Sequence, residues 1–343
     1  MKAIAQLGLG EPAEVLRPIT IDDAVAVGDD DVVVDVTLSP IHFGDLFLVR
    51  SQSEISETNM PLRRGSEAVG VVRALGSNLS SAATVAIGDR VIGFPASGAW
   101  ADSVVVRSAA VVPVPPDITD QIAAQLLINF ITAKMVIRGL RKSVSRDTLQ
   151  RGAVLVTGAS TVVGSIILHL MREEKILAVG LVRSEESADR IRSTLGDISV
   201  TATSERDWLS SVSSKVGRRD IVGVLDCVSG QILEDISPVL ADDAAIVTYG
   251  ALSGKKLAFD TLQVTSRQFI IRGVVFTRWF SELSAEERAN DLESAFAVAR
   301  AFPSLFRTSD VYGLDDIRAA VVAVERPGRN GFVFLRPDRP MDQ

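Results

Sequence analysis

The sequence contains few of the residues that cross-link chains or bind metal ions. Of its 343 residues, one is cysteine (Cys227) and two are histidine (His42 and His169). A single cysteine excludes a disulfide within the chain, so the simplest expectation is a cytoplasmic location. Aromatic residues make up only 5% of the chain, and we therefore expect a mostly aliphatic core.

Charge and hydropathy exclude further classes of function. The net charge is −7 and no basic block stands out, so neither nucleic acid nor an anionic membrane surface is expected as a partner. No apolar run reaches the roughly 18 residues of a membrane span, and the first residues lack the apolar core of a signal peptide. With 47% hydrophobic residues, the chain predicts a compact protein of two ordinary domains.

Two patterns divide the chain. Short β-branched runs between turn residues occupy residues 1–110 and predict a small, partly barrel-like β domain. Further along, apolar strands alternate with helices, which predicts an α/β fold with a parallel, doubly wound sheet. Its strands are predicted at residues 153–156, 176–182, 221–226, 244–247 and 269–276. Helices are predicted at 122–140, 163–172, from 185, at 285–302 and at 314–326, with a last strand at 332–335.

The turn after the first of these strands is a candidate dinucleotide site. Residues 154–164 (VLVTGASTVVG) place small residues between a strand and a helix. The amino terminus of a helix offers unpaired N–H groups and a positive dipole end, which suit a pyrophosphate. Gly164 would let the helix pack closely on the strand. The GxGxxG pattern is absent, so an ordinary β–α turn stays open as an alternative.

The end of the second strand favours NADPH over NADH. NAD enzymes commonly place a carboxylate here for the adenosine ribose, whereas this chain has Arg183 and Ser184. A guanidinium can hold a phosphate with two hydrogen bonds, and a serine can donate a third. The alternative is that Arg183 pairs on the surface with Glu185 or Glu186, which follow at once.

Eight short motifs, in order and spacing, resemble the quinone reductase and enoyl-thioester reductase branch of the medium-chain dehydrogenase/reductase superfamily. In the first part of the chain they are residues 40–46 (PIHFGDL), 65–70 (GSEAVG), 88–91 (GDRV) and 98–101 (GAWA). Later they are residues 129–133 (NFITA), 225–230 (LDCVSG), 248–253 (TYGALS) and 272–279 (RGVVFTRW). The resemblance covers nearly the whole chain.

The resemblance implies a GroES-like, mostly-β catalytic domain joined to a Rossmann domain. The implied boundaries are 1–125 for the first part of the catalytic domain, 126–279 for the NADPH-binding domain and 280–343 for the last part of the catalytic domain. Asn129 and Thr132 would lie near the nicotinamide, and Arg183 and Ser184 near the adenosine phosphate. The pyrophosphate would be cradled by Ser160, Thr161, Val162 and Val163. The remaining cleft would be lined by Tyr249, Gly250, Ala251, Leu252, Val274, Val275 and Phe276. The alternative is that these two segments are plain core strand.

The zinc ligands of alcohol dehydrogenases in the same superfamily are missing. Ser66 stands where a histidine ligand would precede Glu67, and one cysteine with two histidines cannot build such a site. No metal is therefore expected. Without zinc, reduction of a conjugated C=C bond suits the site better than reduction of a carbonyl, because the protein then has to orient the partners and stabilise an enolate.

The expected proton donor is missing as well. Enoyl-thioester reductases commonly carry a tyrosine that would align with Ser53 or Glu54 here, and Phe47 occupies the tyrosine position of quinone reductases. His42 replaces an asparagine of relatives close to the nicotinamide and can supply a proton near neutral pH, or it can be purely structural. Asp45 is the other acidic candidate, although ordering the loop is its simpler role, and Asn129 completes the predicted catalytic set.

Three functions remain open from the sequence. The first is an NADPH-dependent reductase of enoyl thioesters or alkenals, the second an NADPH:quinone oxidoreductase, and the third a non-catalytic NADPH-binding sensor or scaffold. The expected partner is thus a small-molecule substrate. Because residues 269–276 read as an apolar strand that comes last in the sheet, and related reductases pair this strand across a two-fold axis, a homodimer is also expected.

Overall fold

The strands of the chain assemble into two separate units. The computed structural model describes residues 1–25, 28–51, 60–79 and 85–338. Unit 1 comprises Met1–Ile128 and Val298–Gln343, and unit 2 comprises Asn129–Ala297. The predicted mixed α/β class, with a GroES-like part and a parallel Rossmann sheet, is confirmed.

The strands are β1 (Lys2–Gln6), β2 (Leu16–Thr20), β3 (Asp31–Pro40), β4 (Leu62–Arg63), β5 (Ala68–Leu75), β6 (Arg90–Gly93), β7 (Ser103–Arg107), β8 (Val111–Pro113), β9 (Ala153–Val156), β10 (Leu177–Val182), β11 (Ser199–Ala202), β12 (Ile221–Asp226), β13 (Leu240–Thr248), β14 (Ile270–Gly273), β15 (Thr308–Gly313) and β16 (Phe332–Arg336). The α-helices are α1 (Pro12–Val15), α2 (Phe43–Ser51), α3 (Asp120–Ala123), α4 (Leu126–Arg141), α5 (Arg146–Arg151), α6 (Val162–Glu173), α7 (Glu185–Leu195), α8 (Trp208–Val216), α9 (Gln231–Ile236), α10 (Thr261–Ser266), α11 (Trp279–Glu282), α12 (Ala285–Ala301) and α13 (Ile317–Glu325).

Unit 1 is organised around β3. In the described part of the chain its main sheet has the order β15-β16-β3-β5-β6-β8, and β7 also pairs with β3. All of these pairs are antiparallel except β15 with β16. Val32 and Val34 of β3 are fully buried against Val72, Val91 and Val104 from three neighbouring strands. The alternating valines of residues 32–36 therefore form the core face of this sheet.

Unit 2 contains a parallel sheet with the strand order β11-β10-β9-β12-β13-β14 in the described residues. Every residue of the two central strands, β9 and β12, is buried. Strands covered on both faces are apolar throughout, which is why these two were predicted with their observed bounds. The chain order reverses between β9 and β12, so the loops after these two strands diverge and leave room for a ligand.

Two predicted elements differ from those observed, and one strand was missed. The strand predicted at 269–276 is only β14, because the chain leaves the ladder after Gly273 and forms a 3₁₀ turn at Phe276–Arg278. The helix predicted at 122–140 is broken into α3 and α4. The short edge strand β11 was not predicted.

The second domain boundary also differs from the prediction, because most of α12 belongs to unit 2 rather than to the last part of the catalytic domain. Asp291 of this helix explains the difference. Its buried carboxylate accepts two hydrogen bonds from Arg138 of α4, at 2.7 and 2.9 Å, and one from the Trp279 indole at 2.9 Å. Lys134 adds an ion pair at 3.3 Å. A buried charge must stay with its partners, and those lie in unit 2.

One stretch was more apolar than the sequence analysis allowed for. Among the described helices, Asp120–Arg141 is long and apolar enough to cross a membrane by length and composition alone. However, 78% of its most apolar window is buried inside the protein. A core helix meets the same criteria, and this degree of burial is that of a core helix.

We expect Asp291→Ala to lower the free energy of unfolding by about 3 kcal/mol, because it leaves the half-buried Arg138 guanidinium and the buried Trp279 N–H without their acceptor. Burial raises the pKa of Asp291, but its bonds to Arg138 and Trp279 and the charge of Lys134 outweigh this and lower it. Its stabilising effect is therefore complete above about pH 4, and it is lost as the pH falls through the lowered folded-state pKa.

Urea unfolding at neutral and acidic pH measures both effects. The wild-type protein should lose more unfolding free energy on acidification than Asp291→Ala. Glu293→Ala, at an exposed position on the same helix, is the control and should change little. Equal stability of Asp291→Ala and the wild type would contradict this account.

Candidate active site

The first candidate site is centred on His42 in unit 1. His42 is buried just before α2, and its Nε2 lies 2.8 Å from Oε2 of Glu67. Glu67 is fully buried, and its Oε1 accepts backbone hydrogen bonds from Leu127 and Ile128 at 2.9 and 3.2 Å. Burial raises the pKa of Glu67, and the bonds from His42 and the two backbone N–H groups oppose this rise. In this pair the Glu67 side chain is fully buried, whereas the His42 side chain keeps 7% of its surface exposed.

Asp45 orders the start of α2. Its carboxylate accepts the backbone N–H of His42 at 3.0 Å and the Ser66 hydroxyl at 2.6 Å, while its own N–H donates to the His42 carbonyl at 3.1 Å. This is one half of a capping box, in which a carboxylate in the first turn returns to the residue before the helix. Burial raises the pKa of Asp45. The predicted ordering role of Asp45 thus has a direct geometric basis.

The second candidate site lies at the carboxyl edge of the unit 2 sheet. Gly158, in the turn after β9, has φ +57°, and a Cβ there would lie 2.5 Å from Sγ of Cys227. A Cβ on Gly164 would lie 2.6 Å from the Gly158 carbonyl oxygen. Only glycine fits at either position, which brings the backbone of the turn close to α6. Thr161 caps that helix by accepting the N–H of Gly164 at 3.0 Å.

The loops after β12 and β13 meet at the same edge. Asp226 accepts the Thr157 hydroxyl at 2.6 Å and the backbone N–H groups of Val228 and Ser229. The backbone N–H groups of Tyr249 and Leu252 donate to carbonyls of residues 226 and 227, at 2.9 and 2.8 Å. These bonds hold the predicted cleft residues beside the turn at Gly158.

Tyr249 does not present its hydroxyl to this edge. The phenol oxygen is buried beside the Cys227 thiol, without hydrogen-bond geometry to any described residue. Burial raises the pKa of Tyr249 well above its usual value, and Cys227 and Asp226 act in the same direction. Burial likewise raises the pKa of Cys227 to about 12. Neither group is suited to exchange a proton near neutral pH.

Arg183 is exposed directly after β10, and no described residue pairs with it. The two glutamates that follow have other partners: Glu185 contacts Arg192 at 2.5 Å, and Glu186 contacts Arg190 at 2.8 Å. The alternative that Arg183 pairs with a neighbouring glutamate is therefore wrong. Ser184 is engaged differently from the prediction, since its hydroxyl caps α7 by accepting the N–H of Ser187.

The other predicted residues divide by exposure. Asn129 is buried in the first turn of α4, and Thr132, one turn later, is half-buried. Along the sheet edge, Ser160, Gly250, Leu252 and Val275 are exposed, whereas Val162, Val163, Ala251, Val274 and Phe276 are half-buried. Phe276 lies in the 3₁₀ turn and not in a strand, which corrects its expected setting.

Sequence reasoning missed Glu67, Thr157 and Asp226 as functional neighbours. Glu67 and Asp226 had a signal, because a carboxylate bordering an apolar strand needs a partner when the strand is buried, and Thr157 is the partner of Asp226. Ser53 and Glu54, the positions aligned with the missing tyrosine, lie outside the described residues. The described part of the chain holds no group of three histidine, cysteine or acidic side chains placed for a metal ion.

Residues 28–116 match the family model of the alcohol dehydrogenase GroES-like domain. Over 303 residues, the chain is 25% identical to the mitochondrial enoyl-[acyl-carrier-protein] reductase of Dictyostelium discoideum, covering 85% of this chain and 82% of that protein. The Arabidopsis thaliana protein of the same name is also 25% identical, with coverages of 87% and 78%.

Solved structures agree on the fold. The Escherichia coli quinone oxidoreductase, solved with NADPH, superposes with a TM-score of 0.81 at 20% identity, covering 98% of this chain and 100% of that one. The Pseudomonas syringae quinone oxidoreductase gives the same score and identity, with coverages of 98% and 99%. Together with the family model and the relatives, these likenesses confirm the resemblance, read from the eight motifs, to the zinc-independent branch of the medium-chain dehydrogenase/reductase superfamily.

Proposed function

We propose that the chain is a zinc-independent, NADPH-dependent reductase of activated C=C bonds, with 2-enoyl thioesters or 2-alkenals as substrates. The observation that carries the cofactor assignment is Arg183, an exposed guanidinium without an ion-pair partner among the described residues, at the carboxyl end of β10. The relatives named as enoyl-[acyl-carrier-protein] reductases support the substrate class.

The residues of the sheet edge fit the cofactor. The close approach at Gly158 and the capped amino end of α6 provide the cradle that a pyrophosphate needs, with Ser160 exposed beside it. Arg183 can hold the adenosine phosphate through two parallel hydrogen bonds. Asn129 and Thr132 remain the predicted contacts of the nicotinamide. When bound, NADPH supplies a hydride.

The protein must then supply a proton. Hydride addition to the β-carbon of a conjugated thioester or aldehyde places negative charge on the carbonyl oxygen, and protonation of the α-carbon completes the reduction. Asp45 is occupied with the start of α2, and the Tyr249 phenol is buried. His42 is the remaining candidate among the predicted residues, and its buried partner Glu67 favours a role in proton transfer over a plain packing role.

Quinone reduction is the second candidate, favoured by the superposition with solved quinone oxidoreductases. A panel of a crotonyl thioester, a 2-alkenal and a quinone, each followed by the loss of NADPH absorbance, separates the candidates. Turnover of the thioester or the alkenal supports the proposal. Turnover of the quinone alone supports the second candidate, and tight NADPH binding without any turnover supports a sensor or scaffold.

We also propose that the protein is a homodimer paired through β14. This strand ends the described sheet, and Ile270, Ile271 and the following Val275 are 36%, 45% and 47% exposed. An open apolar edge with unpaired N–H and C=O groups is prone to aggregation unless another strand covers it. Pairing with a second copy across a two-fold axis would satisfy those groups.

NADPH should bind much more tightly than NADH, and Arg183→Ala should weaken NADPH by about tenfold to a hundredfold while leaving NADH nearly unchanged. The reason is the loss of a charge-assisted contact of roughly 1.5–3 kcal/mol. Titration of both cofactors by calorimetry measures this. Arg218→Ala, before β12 and therefore at the opposite edge of the sheet, is the control. Equal affinity of the wild type for the two cofactors would contradict the assignment.

His42→Ala should lower kcat by about a hundredfold or more, in the range of a lost general acid, with little change in the NADPH dissociation constant. His42→Asn should keep part of the activity, because the amide still offers an orienting hydrogen bond. His169→Asn, the only other histidine, is the control. If both His42 variants turn over like the wild type, the proton comes from water or another group.

Ile271→Asp should convert the dimer to monomer, because pairing would bring carboxylates of the two copies close together without a counter-ion. Multi-angle light scattering should give the wild type twice the 36.7 kDa mass of one chain and this variant the single mass. Val322→Asp, at another exposed apolar position, on α13, should remain dimeric. A wild-type mass near 36.7 kDa at micromolar concentration would rule the dimer out.

A further inference from the structure

His42 and Glu67 form a pair in which the orientation of the carboxylate is determined independently of the imidazole. Oε1 of Glu67 accepts the N–H groups of Leu127 and Ile128, at 2.9 and 3.2 Å, in the first turn of α4. A backbone N–H can only donate, so this oxygen acts as the acceptor. Oε2 is then the oxygen that faces Nε2 of His42, at 2.8 Å.

This arrangement selects one tautomer of the imidazole. When Glu67 is ionised, Oε2 must accept a hydrogen bond, so Nε2 of His42 must carry a hydrogen atom. The second ring nitrogen, Nδ1, has no hydrogen-bond partner among the described residues. It is also not one of the fully buried side-chain atoms of those residues that lack a partner. Nδ1 is therefore the nitrogen that is available to gain and lose a proton.

The other charged groups around the pair do not compete for this hydrogen bond. Asp45 interacts with His42 through space, but its oxygens are held by the His42 backbone and by Ser66. The charge of the Arg64 guanidinium interacts with the carboxylate of Asp45. On the side of β16, the Phe332 ring meets the imidazole edge-on at 5.2 Å, and the Arg329 guanidinium lies over the Phe332 ring at 5.9 Å. Within the described residues, no lysine or arginine pairs with Glu67.

We propose that Glu67 is a positioning residue that holds His42 as the Nε2–H tautomer and makes the pair a single acid that delivers its proton from Nδ1. The inference rests on the proposed function. In the acid form, imidazolium and carboxylate cancel each other's charge. In the reaction, the Nδ1–H bond breaks and its electron pair stays on Nδ1. The proton moves to the α-carbon, where the electron pair of the enolate forms the new C–H bond. Solvent then returns a proton to Nδ1.

Loss of the proton leaves one net negative charge in a buried site, which burial disfavours. Glu67→Gln removes the carboxylate charge and reverses the hydrogen bond to Nε2. The glutamine oxygen must still accept the two backbone N–H groups, so its amide nitrogen faces His42 and donates to Nε2. The imidazole must then carry its hydrogen on Nδ1, and protonating it would create an uncompensated buried charge.

The first test is nitrogen NMR of the protein labelled at histidine. Only two histidines contribute, and His42→Asn assigns them. We expect the Nε2–H tautomer for His42 in the wild type and the Nδ1–H tautomer in Glu67→Gln. The wild-type measurement requires no variant to fold beyond the one used for assignment, and a wild-type Nδ1–H tautomer overturns the inference by itself.

The second test is the pH dependence of kcat. In Glu67→Gln the alkaline limb should move to lower pH by about one unit or more, with NADPH affinity unchanged. Ser39→Ala is the matched control, because its buried hydroxyl donates to the Glu67 carbonyl at 2.6 Å without touching the carboxylate. It should lower stability and leave the pH profile in place. A profile that shifts equally in both variants, or in neither, contradicts the positioning role.

The two proposals fail in different ways. A wild-type protein that shows the expected tautomer and binds NADPH, but reduces none of the three substrates, contradicts the proposed function and leaves the His42–Glu67 assignment intact. A protein that reduces an enoyl thioester with His42 in the Nδ1–H tautomer supports the proposed function and contradicts the His42–Glu67 assignment.

Discussion

The approach between the turn after β9 and the loop after β12 constrains the whole ligand edge of unit 2. Gly158 takes a left-handed conformation, and the space where a side chain would begin is filled by the Cys227 sulfur. The hydrogen bond from Thr157 to Asp226 links the same two segments at 2.6 Å. Because the turn cannot move away from β12, the amino end of α6 and the loop carrying Tyr249 and Leu252 are held at one edge. The geometry that suits a pyrophosphate thus follows from a packing requirement in the strands beneath it.

The features that could be predicted from the sequence are those with local causes. Strands β9 and β12 were predicted with their observed bounds because both faces of a central parallel strand are covered, which leaves an uninterrupted apolar run. Strand β11 was missed because its four residues, Ser199–Ala202, are half polar and lie at the edge. The position of α12 could not be found from its own sequence either. It is determined by the contacts of Asp291 with residues up to 157 positions away, and such pairings leave no periodic pattern.

The candidate site shows the same division. Arg183 was identified from its position after a strand. Whether its guanidinium has an ion-pair partner, however, depends on which side chains Glu185 and Glu186 contact. Glu186 faces Arg190 one helical turn on, and Glu185 faces Arg192 two turns on. The first pairing could have been predicted from the four-residue spacing in the predicted helix. Glu67 could not be assigned to His42 in this way, because 25 residues and a change of strand separate them. The pairing exists only once β3 and β5 are aligned and α4 supplies its backbone N–H groups.

Two buried carboxylates in this protein are neutralised in different ways, and the difference separates a structural role from a functional one. Asp291 forms ion pairs with two basic side chains, Arg138 at 2.7 Å and Lys134 at 3.3 Å. Glu67 is held by a histidine and by two backbone N–H groups, and no lysine or arginine of the described residues pairs with it. Evolution toward stability alone would favour the first arrangement or an apolar side chain, because a buried carboxylate with a titratable partner has a net charge that depends on pH. Burying a charge costs free energy unless it is well paired, and the His42–Glu67 pair contains an imidazole where the Asp291 cluster contains only a guanidinium, an ammonium and an indole. Under the proposed function His42 is the proton donor of unit 1, and under the further proposal Glu67 determines which of its two nitrogens takes part.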